Sequence, residues 1–112
     1  MAWEVVALDE FERWYLALDT ASRARVYDRV AQLEQDGPGL GRPVVETIKT
    51  SRHPNMKELR SGTIRVLFVF DPNSNAVLLL GGDKRGDWTG WYEQHVPRAD
   101  DLYYDYLNDT RR

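Results

Sequence analysis

The sequence predicts one α+β domain over residues 1–112, in which an N-terminal helical hairpin packs on a twisted antiparallel sheet and a C-terminal helix follows. Two observations lead to this fold class. Apolar positions recur at helical three- and four-residue steps near both ends of the chain. Between them, apolar runs alternate with short turn sequences, which is typical of antiparallel strands. The 112 residues are 42% hydrophobic and 29% charged, a composition that suits a folded domain with one modest core.

The N-terminal third is expected to form a first strand at residues 3–8 and then two helices. Asp9 is the predicted N-cap of the first helix, because Glu12 lies three residues later in capping-box spacing. The second helix should run from residue 20 to about residue 35 and end at Gly37-Pro38-Gly39. The apolar faces predicted for the two helices are Phe11, Trp14, Tyr15 and Leu18 for the first, and Val26, Tyr27, Val30 and Leu33 for the second.

The remainder of the chain is expected to be an irregular stretch over residues 37–55, then strands, then a helix. Short turns join the three predicted antiparallel strands, which lie at about residues 56–60, 63–70 and 76–82. The last helix should start near Ala99 or Asp100. Its apolar face would consist of Leu102, Tyr103, Tyr106 and Leu107, with Tyr104 facing water.

The first hairpin of the sheet sets the predicted faces. If Ser61-Gly62 is a two-residue loop, Arg60 pairs with Thr63 and Glu58 pairs with Arg65. Alternation then gives one apolar face, which the helices cover, and one open, concave face that carries polar side chains. The polar set is Glu58, Arg60, Thr63 and Arg65; the apolar set is Leu59, Ile64, Val66, Phe68 and Phe70.

Cations on and after apolar strands are the strongest functional signal. Arg65 lies in mid-strand, and Lys84-Arg85 follows an almost purely apolar strand, so a rigid sheet would present them to an anion such as a phosphodiester. Ordinary explanations stay open: Arg65 could form a cross-strand ion pair with Glu58, and Lys84-Arg85 could be a solvated turn. Close approach of a ligand to this backbone would be helped by three glycines, Gly81, Gly82 and Gly86.

Histidines and aromatic residues supply further candidates. His53 and His95 could move protons near neutral pH, or could be structural or exposed. Their separation makes a metal site improbable on sequence grounds. Trp88 and Tyr92, with Trp91, follow the basic turn, where rings could stack on unpaired RNA bases or close the edge of the core.

Charge and composition narrow the expected environment. Residues 1–36 carry 4 basic and 8 acidic side chains, whereas residues 37–96 carry 8 basic and 6 acidic, so an anionic partner would bind the middle of the chain. No cysteine is present, which excludes disulfides and zinc–thiolate sites. Without an export-like N-terminus or an apolar run of about 18 residues, a cytoplasmic location without membrane contact is expected.

The order of these motifs resembles the RelE/ParE superfamily of toxins, and most closely the HigB-type branch with phage Gp49-like domains. The resemblance covers roughly residues 3 to 108. It rests on four motifs in order: Lys57-Glu-Leu-Arg60, Ile64-Arg-Val-Leu-Phe68, Leu78-Leu-Leu-Gly-Gly-Asp-Lys84 and Pro97-x-Ala-Asp100-x-x-Tyr103.

The resemblance implies the toxin of a type II toxin–antitoxin pair that cuts mRNA in the ribosomal A site without a metal or cofactor. In the implied reaction, the ribose 2′-OH attacks its own 3′ phosphate. Arg65 would bind the scissile phosphate, and Lys84 and Arg85 would bind phosphate or protonate the leaving group. Lys57 and Arg60 would belong to the basic strand that precedes them.

The resemblance leaves the general base open among Tyr92, His95 and Asp83. His53, in the basic loop, and Trp88, after the basic turn, are also expected to contact RNA. The expected partners are the ribosome, mRNA and a cognate antitoxin, often a helix-turn-helix DNA-binding protein. Two other functions stay open on the same scaffold: a ParE-like inhibitor of DNA gyrase, and a protein-interaction module without activity.

Overall fold

The computed structural model describes residues 2–110 and shows an α+β fold, as expected, with three α-helices and a five-stranded sheet in this part of the chain. The strand order is β1-β5-β4-β3-β2, in which β1 runs parallel to β5 and the other neighbours are antiparallel, so the sheet is mixed and not purely antiparallel. The elements in chain order are β1 (Val5–Ala7), α1 (Asp9–Leu16), α2 (Thr20–Asp36), β2 (Val45–Thr47), β3 (Lys57–Ser61), β4 (Ile64–Phe70), β5 (Ala76–Asp83) and α3 (Gly90–Thr110).

The start of α1 differs from the predicted capping box. Leu8 is the N-cap in extended conformation and Asp9 is already the first helical residue, with no side-chain cap. The Leu8 backbone amide donates to the Leu78 carbonyl at 3.1 Å, so the sheet fixes the entry to the helix. By contrast, Asp19 caps α2 by accepting a hydrogen bond from the Ser22 amide at 3.3 Å.

The buried face of α2 agrees with the prediction at Val26 and Leu33, which are fully enclosed. Tyr27 was predicted on the same face but is 65% exposed, and that prediction was wrong. Neighbouring residues on an α-helix point about 100° apart, so the burial of Val26 turns Tyr27 outward. The helix ends at Asp36, directly before Gly37-Pro38-Gly39 as predicted, and these three residues form a short 3-10 helix.

The stretch expected to be irregular contains strand β2, which extends the sheet beyond β3 through pairs such as Val45 with Leu59. Three residues are too few for a periodic pattern, so only the tertiary pairing defines this strand.

The hairpin between β3 and β4 has a different register from the predicted one. Ser61 pairs with Ile64 and Arg60 pairs with Arg65, so the loop is Gly62-Thr63. Gly62 has φ +59°, which suits the first loop position of a primed hairpin turn. Since each partner moves by two positions, the assignment of side chains to faces is unchanged.

Helix α3 begins at Gly90, well before the predicted start at residue 99 or 100, and contains Pro97 in its interior. Its predicted inward face is confirmed at Tyr103, and Tyr104 is 61% exposed. The two hairpin helices pack on one face of the sheet and α3 packs on the other. The face predicted to be open is therefore largely covered, and Arg65 is only 6% exposed.

Candidate active site

A cleft of about 560 Å³ lies between the first two turns of α3 and the segment that follows β2. The ends of β3 and β5 form its floor. Glu58 and Arg60 reach the cleft from β3, and Lys84 reaches it from the residue after β5. Tyr92 lines it from α3. Residues that are distant in sequence therefore meet at one end of the sheet.

The Glu58 carboxylate lies at the centre of this cluster and is 1% exposed. Its Oε1 atom lies 2.6 Å from Arg60 Nε and 3.5 Å from Arg65 Nε. The Tyr92 hydroxyl donates to the same oxygen at 3.1 Å. These contacts offset the large cost of burying a carboxylate and fix its position.

Arg65 is held rigidly beneath Tyr92. Its Nη1 donates to the Gly62 and Ile64 carbonyls at 2.6 and 2.9 Å, and its Nε donates to the Tyr92 hydroxyl at 3.3 Å. The sequence-based ion pair between Arg65 and Glu58 is present, and it is buried. The pair is thus a buried contact beside the cleft, which Glu58 lines, and not a solvated surface contact.

Lys84 is a buried cation, 7% exposed, at the edge of the same cluster. Its Nζ lies 4.2 Å from the centre of the Trp88 ring and 5.1 Å from that of Tyr92. Burial lowers the pKa of the Lys84 ammonium below its usual 10.5, and the neighbouring charge of Arg65 lowers it further. An ammonium with a lowered pKa gives up its proton more readily.

Tyr92 was one candidate for the general base. Burial raises the pKa of the Tyr92 phenol, and its hydrogen bond to Glu58 raises it further. The hydroxyl therefore stays protonated near neutral pH and serves as a donor to the carboxylate.

Arg85 and Asp83 lie apart from the cleft although they flank Lys84. Both line a groove on the opposite face of the sheet, together with Asp19 and Arg25 near the start of α2. Hydrogen bonds from Thr63 and from the Arg85 amide lower the pKa of Asp83. Successive residues of an extended chain point to opposite faces, which explains why Lys84 and Arg85 separate.

The four remaining candidates lie in different environments. His95 stacks on Trp91 with ring centres 4.4 Å apart, and its Nδ1 lies 2.7 Å from the Trp91 carbonyl oxygen. His53 packs edge-on against a tyrosine of α3 and is outside the cleft lining. Lys57 donates to Thr47 Oγ1 at 3.5 Å. Trp88 is 59% exposed beside Lys84, where its ring remains available for stacking.

Gly81 and Gly82 were expected to let a ligand approach the backbone, but tryptophan rings occupy that space. A Cβ atom on Gly81 would lie 2.3 Å from the Trp14 ring, and one on Gly82 would lie 2.6 Å from Trp91 Nε1. These glycines serve close packing of the helices on the sheet.

Glu58 is the main functional candidate that the sequence did not single out. The sequence indicated that Glu58 and Arg65 share a face, and a buried carboxylate between two arginines is unusual. Its burial depends on α3, whose early start was not predicted.

Among residues 2–110 there is no group of three or more histidine, cysteine or acidic side chains arranged to hold a metal. None of the helices in the described part of the chain has the length and apolar composition that crossing a membrane requires.

The arrangement of helices and sheet is the RelE fold. It matches a chain of the RelBE2 toxin–antitoxin complex from Mycobacterium tuberculosis with a TM-score of 0.61 and 18% identity, covering 74% of this chain and 99% of that one. It also matches a chain of the archaeal RelE–RelB complex from Pyrococcus horikoshii OT3 with a TM-score of 0.61 and 19% identity, covering 78% of this chain and 99% of that one. At these identities the likeness concerns the fold.

The family itself follows from sequence comparison. Residues 13–104 match the model of the phage-derived Gp49-like proteins. The chain is 51% identical to "Putative toxin HigB3" of Mycobacterium tuberculosis over 98 residues, 86% of each chain. It is 39% identical to "Putative toxin HigB2" of the same organism over 105 residues, which span 89% of this chain and 52% of that relative. The chain therefore belongs to the Gp49-like family, in which it resembles relatives named as HigB toxins.

Proposed function

We propose that this chain is the toxin of a type II toxin–antitoxin pair and acts as a metal-independent, ribosome-dependent mRNA endoribonuclease that inhibits translation. One observation carries the proposal: a buried carboxylate, Glu58, lines an open cleft together with Arg60 and Lys84, and it is also paired with the buried Arg65 behind them. A general base, a phosphate-binding cation and a general acid are the groups that RNA cleavage by internal transesterification needs.

In the proposed step, the Glu58 carboxylate takes the proton of the ribose 2′-OH while the O2′–P bond forms. The P–O5′ bond breaks, and the Lys84 ammonium gives its proton to the departing 5′ oxygen. The products are a 2′,3′-cyclic phosphate and a 5′-OH end, and exchange with water restores both side chains. Three donors already hold Glu58 Oε1, so Oε2 is the proposed acceptor.

Arg65 and Arg60 are the proposed stabilisers of the charged phosphorane. Nη1 and Nε of Arg65 already donate hydrogen bonds within the protein, so Nη2 is the proposed phosphate contact. Because the guanidinium is already fixed, little reorganisation would accompany the build-up of charge on the phosphate. Tyr92 positions the base, and Trp88 provides an exposed ring on which a neighbouring base could stack.

A cognate antitoxin and the ribosome are the proposed partners. The RelE-type chains matched above come from complexes with RelB antitoxins, and HigB-type relatives are named as toxins. We extend that pairing to this chain as part of the proposal.

The test is inducible expression in bacteria with mapping of new mRNA 5′ ends, with and without translation, for the wild type and for Glu58→Gln. The wild type should arrest growth and cut only within translated frames. Glu58→Gln keeps the size of the side chain but removes the base, so cleavage should fall at least about 100-fold. Toxin that has been dialysed against EDTA should cleave mRNA on programmed ribosomes, in their usual Mg²⁺ buffer, as fast as untreated toxin.

Arg85→Met is the control variant. Arg85 is next to Lys84 in the sequence but lies in the groove beside α2, so its loss should leave cleavage nearly unchanged. Full cleavage by Glu58→Gln would contradict the assigned base. Growth arrest with intact mRNA would favour a gyrase or another target, and no arrest at confirmed expression would favour an interaction module without activity.

A further inference from the structure

Residues 46–50, which include the start of the loop of residues 49–55, form the wall of the cleft that faces α3. The Ile48 amide donates to the Met56 carbonyl at 2.9 Å and closes the base of the loop, so the residues between them lie beyond the sheet pairing. Lys49 and Thr50, the first two residues of the loop, line the cleft. The position of this loop therefore affects where Lys49 and Thr50 lie in the cleft.

One carboxylate, that of Asp100, holds the loop against α3. Asp100 is 2% exposed, and both of its oxygens accept hydrogen bonds from the loop. Ser51 Oγ donates to Oδ1 at 2.5 Å, while the Arg52 backbone amide and Nε donate to Oδ2 at 3.1 and 3.3 Å. His53 Nε2 lies 3.3 Å from the Asp100 backbone oxygen. A single turn of α3 thus anchors three consecutive loop residues.

The other contacts between the loop and α3 are weaker anchors. Arg52 also pairs with Asp101 at 2.5 Å, but the Asp101 side chain is 59% exposed, and such pairs contribute little in water. The ring of His53 meets Tyr103 edge-on at 4.8 Å. Loss of the Asp100 carboxylate would leave the Arg52 amide and the Ser51 hydroxyl, both in part-buried contacts, without their acceptor, which is the costlier change.

Helix α3 also supplies the opposite wall of the cleft through Tyr92, Glu93 and Val96. Asp100 lies further along the same helix. Its hydrogen bonds to the loop therefore fix the wall that contains Lys49 relative to the wall formed by α3. Lys49 is exposed on the loop side, and none of the ion pairs found among residues 2–110 includes it. A cation that faces a cleft without an acidic partner is available to an anion.

We propose that Lys49 contacts a phosphodiester of the bound RNA next to the scissile one, and that Asp100 is the positioning residue that holds Lys49 there. This inference rests on the proposed function. It also accounts for the Asp100 and Tyr103 motif near the C-terminus, which the chemistry at Glu58 does not require.

The test compares Lys49→Met, Asp100→Ala and the double variant in cleavage of mRNA on programmed ribosomes. Lys49→Met should raise KM about tenfold with kcat within about twofold, because it removes one phosphate contact. Asp100→Ala should raise KM by a similar factor. The double variant should be no worse than Lys49→Met, because both changes remove the same contact. Ser51→Ala should give a smaller rise, and Asp101→Ala, which affects only the exposed pair, should leave KM unchanged.

Limited digestion with trypsin measures how firmly the loop is held against α3, and it requires no RNA. Cleavage after Lys49 or Arg52 should be at least about tenfold faster in folded Asp100→Ala than in the wild type. The proposal would be overturned if KM of the double variant rose about 100-fold, since the two changes would then act independently. An unchanged rate of loop digestion in Asp100→Ala would also overturn it. If the wild type cuts no mRNA, the proposed nuclease fails, while the trypsin result still decides whether Asp100 holds the loop.

Discussion

The two faces of the sheet have different compositions under their helices. The face covered by α1 and α2 is filled by apolar side chains such as Leu33 and Phe68, both fully enclosed. The face covered by α3 is apolar beneath most of that helix, but Glu58 and Arg65 are buried beneath its first turns. Apolar packing would suffice for stability there, since a buried ion pair often stabilises no better than well-packed apolar residues. Both faces therefore support the fold through apolar packing, and only the α3 face also holds a group of buried charges.

The largest expected effect comes from breaking the apolar face. Phe68→Ala removes a fully buried ring that contacts Phe70 edge-on at 5.6 Å. The free energy of unfolding should fall by about 3–5 kcal/mol, through lost burial and the cavity that remains. Urea denaturation monitored by tryptophan fluorescence measures it. A loss below about 1 kcal/mol would mean that this face is not the main stabilising layer.

Lys84→Met, on the α3 face, should reduce activity without reducing stability, unlike Phe68→Ala. Cleavage should fall about 100-fold because the proposed acid is lost, whereas stability near pH 7 should hold or rise because a buried ammonium is removed. Because the pKa of Lys84 is lower in the folded state than in the unfolded state, its charge at neutral pH lowers the free energy of unfolding. This destabilisation diminishes as the pH rises from the folded-state pKa towards the unfolded-state pKa.

The pH profile of the wild type tests the same residue. Cleavage should decline as the pH rises, with an apparent pKa below the usual lysine value of 10.5, because deprotonated Lys84 cannot protonate the leaving oxygen. This alkaline decline should be absent from the residual activity of Lys84→Met. An identical decline in the variant would assign the acid to another group.

A smaller effect is expected from Tyr92→Phe, which removes only a hydroxyl. The Glu58 carboxylate would lose one donor, and Arg65 would lose one acceptor. We expect kcat to fall about tenfold and unfolding to become easier by about 1 kcal/mol. Tyr104→Phe, an exposed tyrosine on the same helix, is the matched control. Equal kinetics for both variants would remove Tyr92 from the site.

The smallest effect should come from Arg85→Met, which sharpens the comparison between the two faces. Its neighbour Lys84 lies in the cleft, whereas Arg85 lies in the groove beside α2. The change should alter kcat/KM by less than about twofold. A loss as large as that of Lys84→Met would show that RNA also binds the α1–α2 face.

Much of the fold could be predicted because its signals are local. Helical spacing located α2 and the apolar face of α3, and turn sequences located strands β3, β4 and β5. The start of α3 and strand β2 could not be read in this way, since Pro97 suggested a break and three residues carry no period. The hairpin register was off by two positions, yet the faces were correct because that shift preserves alternation.

The sequence by itself determined that Arg65 and Lys84 are set on or just after apolar strands, because alternation and strand ends are properties of neighbouring residues. Only the tertiary structure decided that α3 covers their face, that Glu58 and Tyr92 meet across 34 positions of sequence, and that Arg85 lies elsewhere. Those outcomes depend on how a helix packs against a sheet. Such packing is set by the summed burial of many side chains, which no local pattern contains.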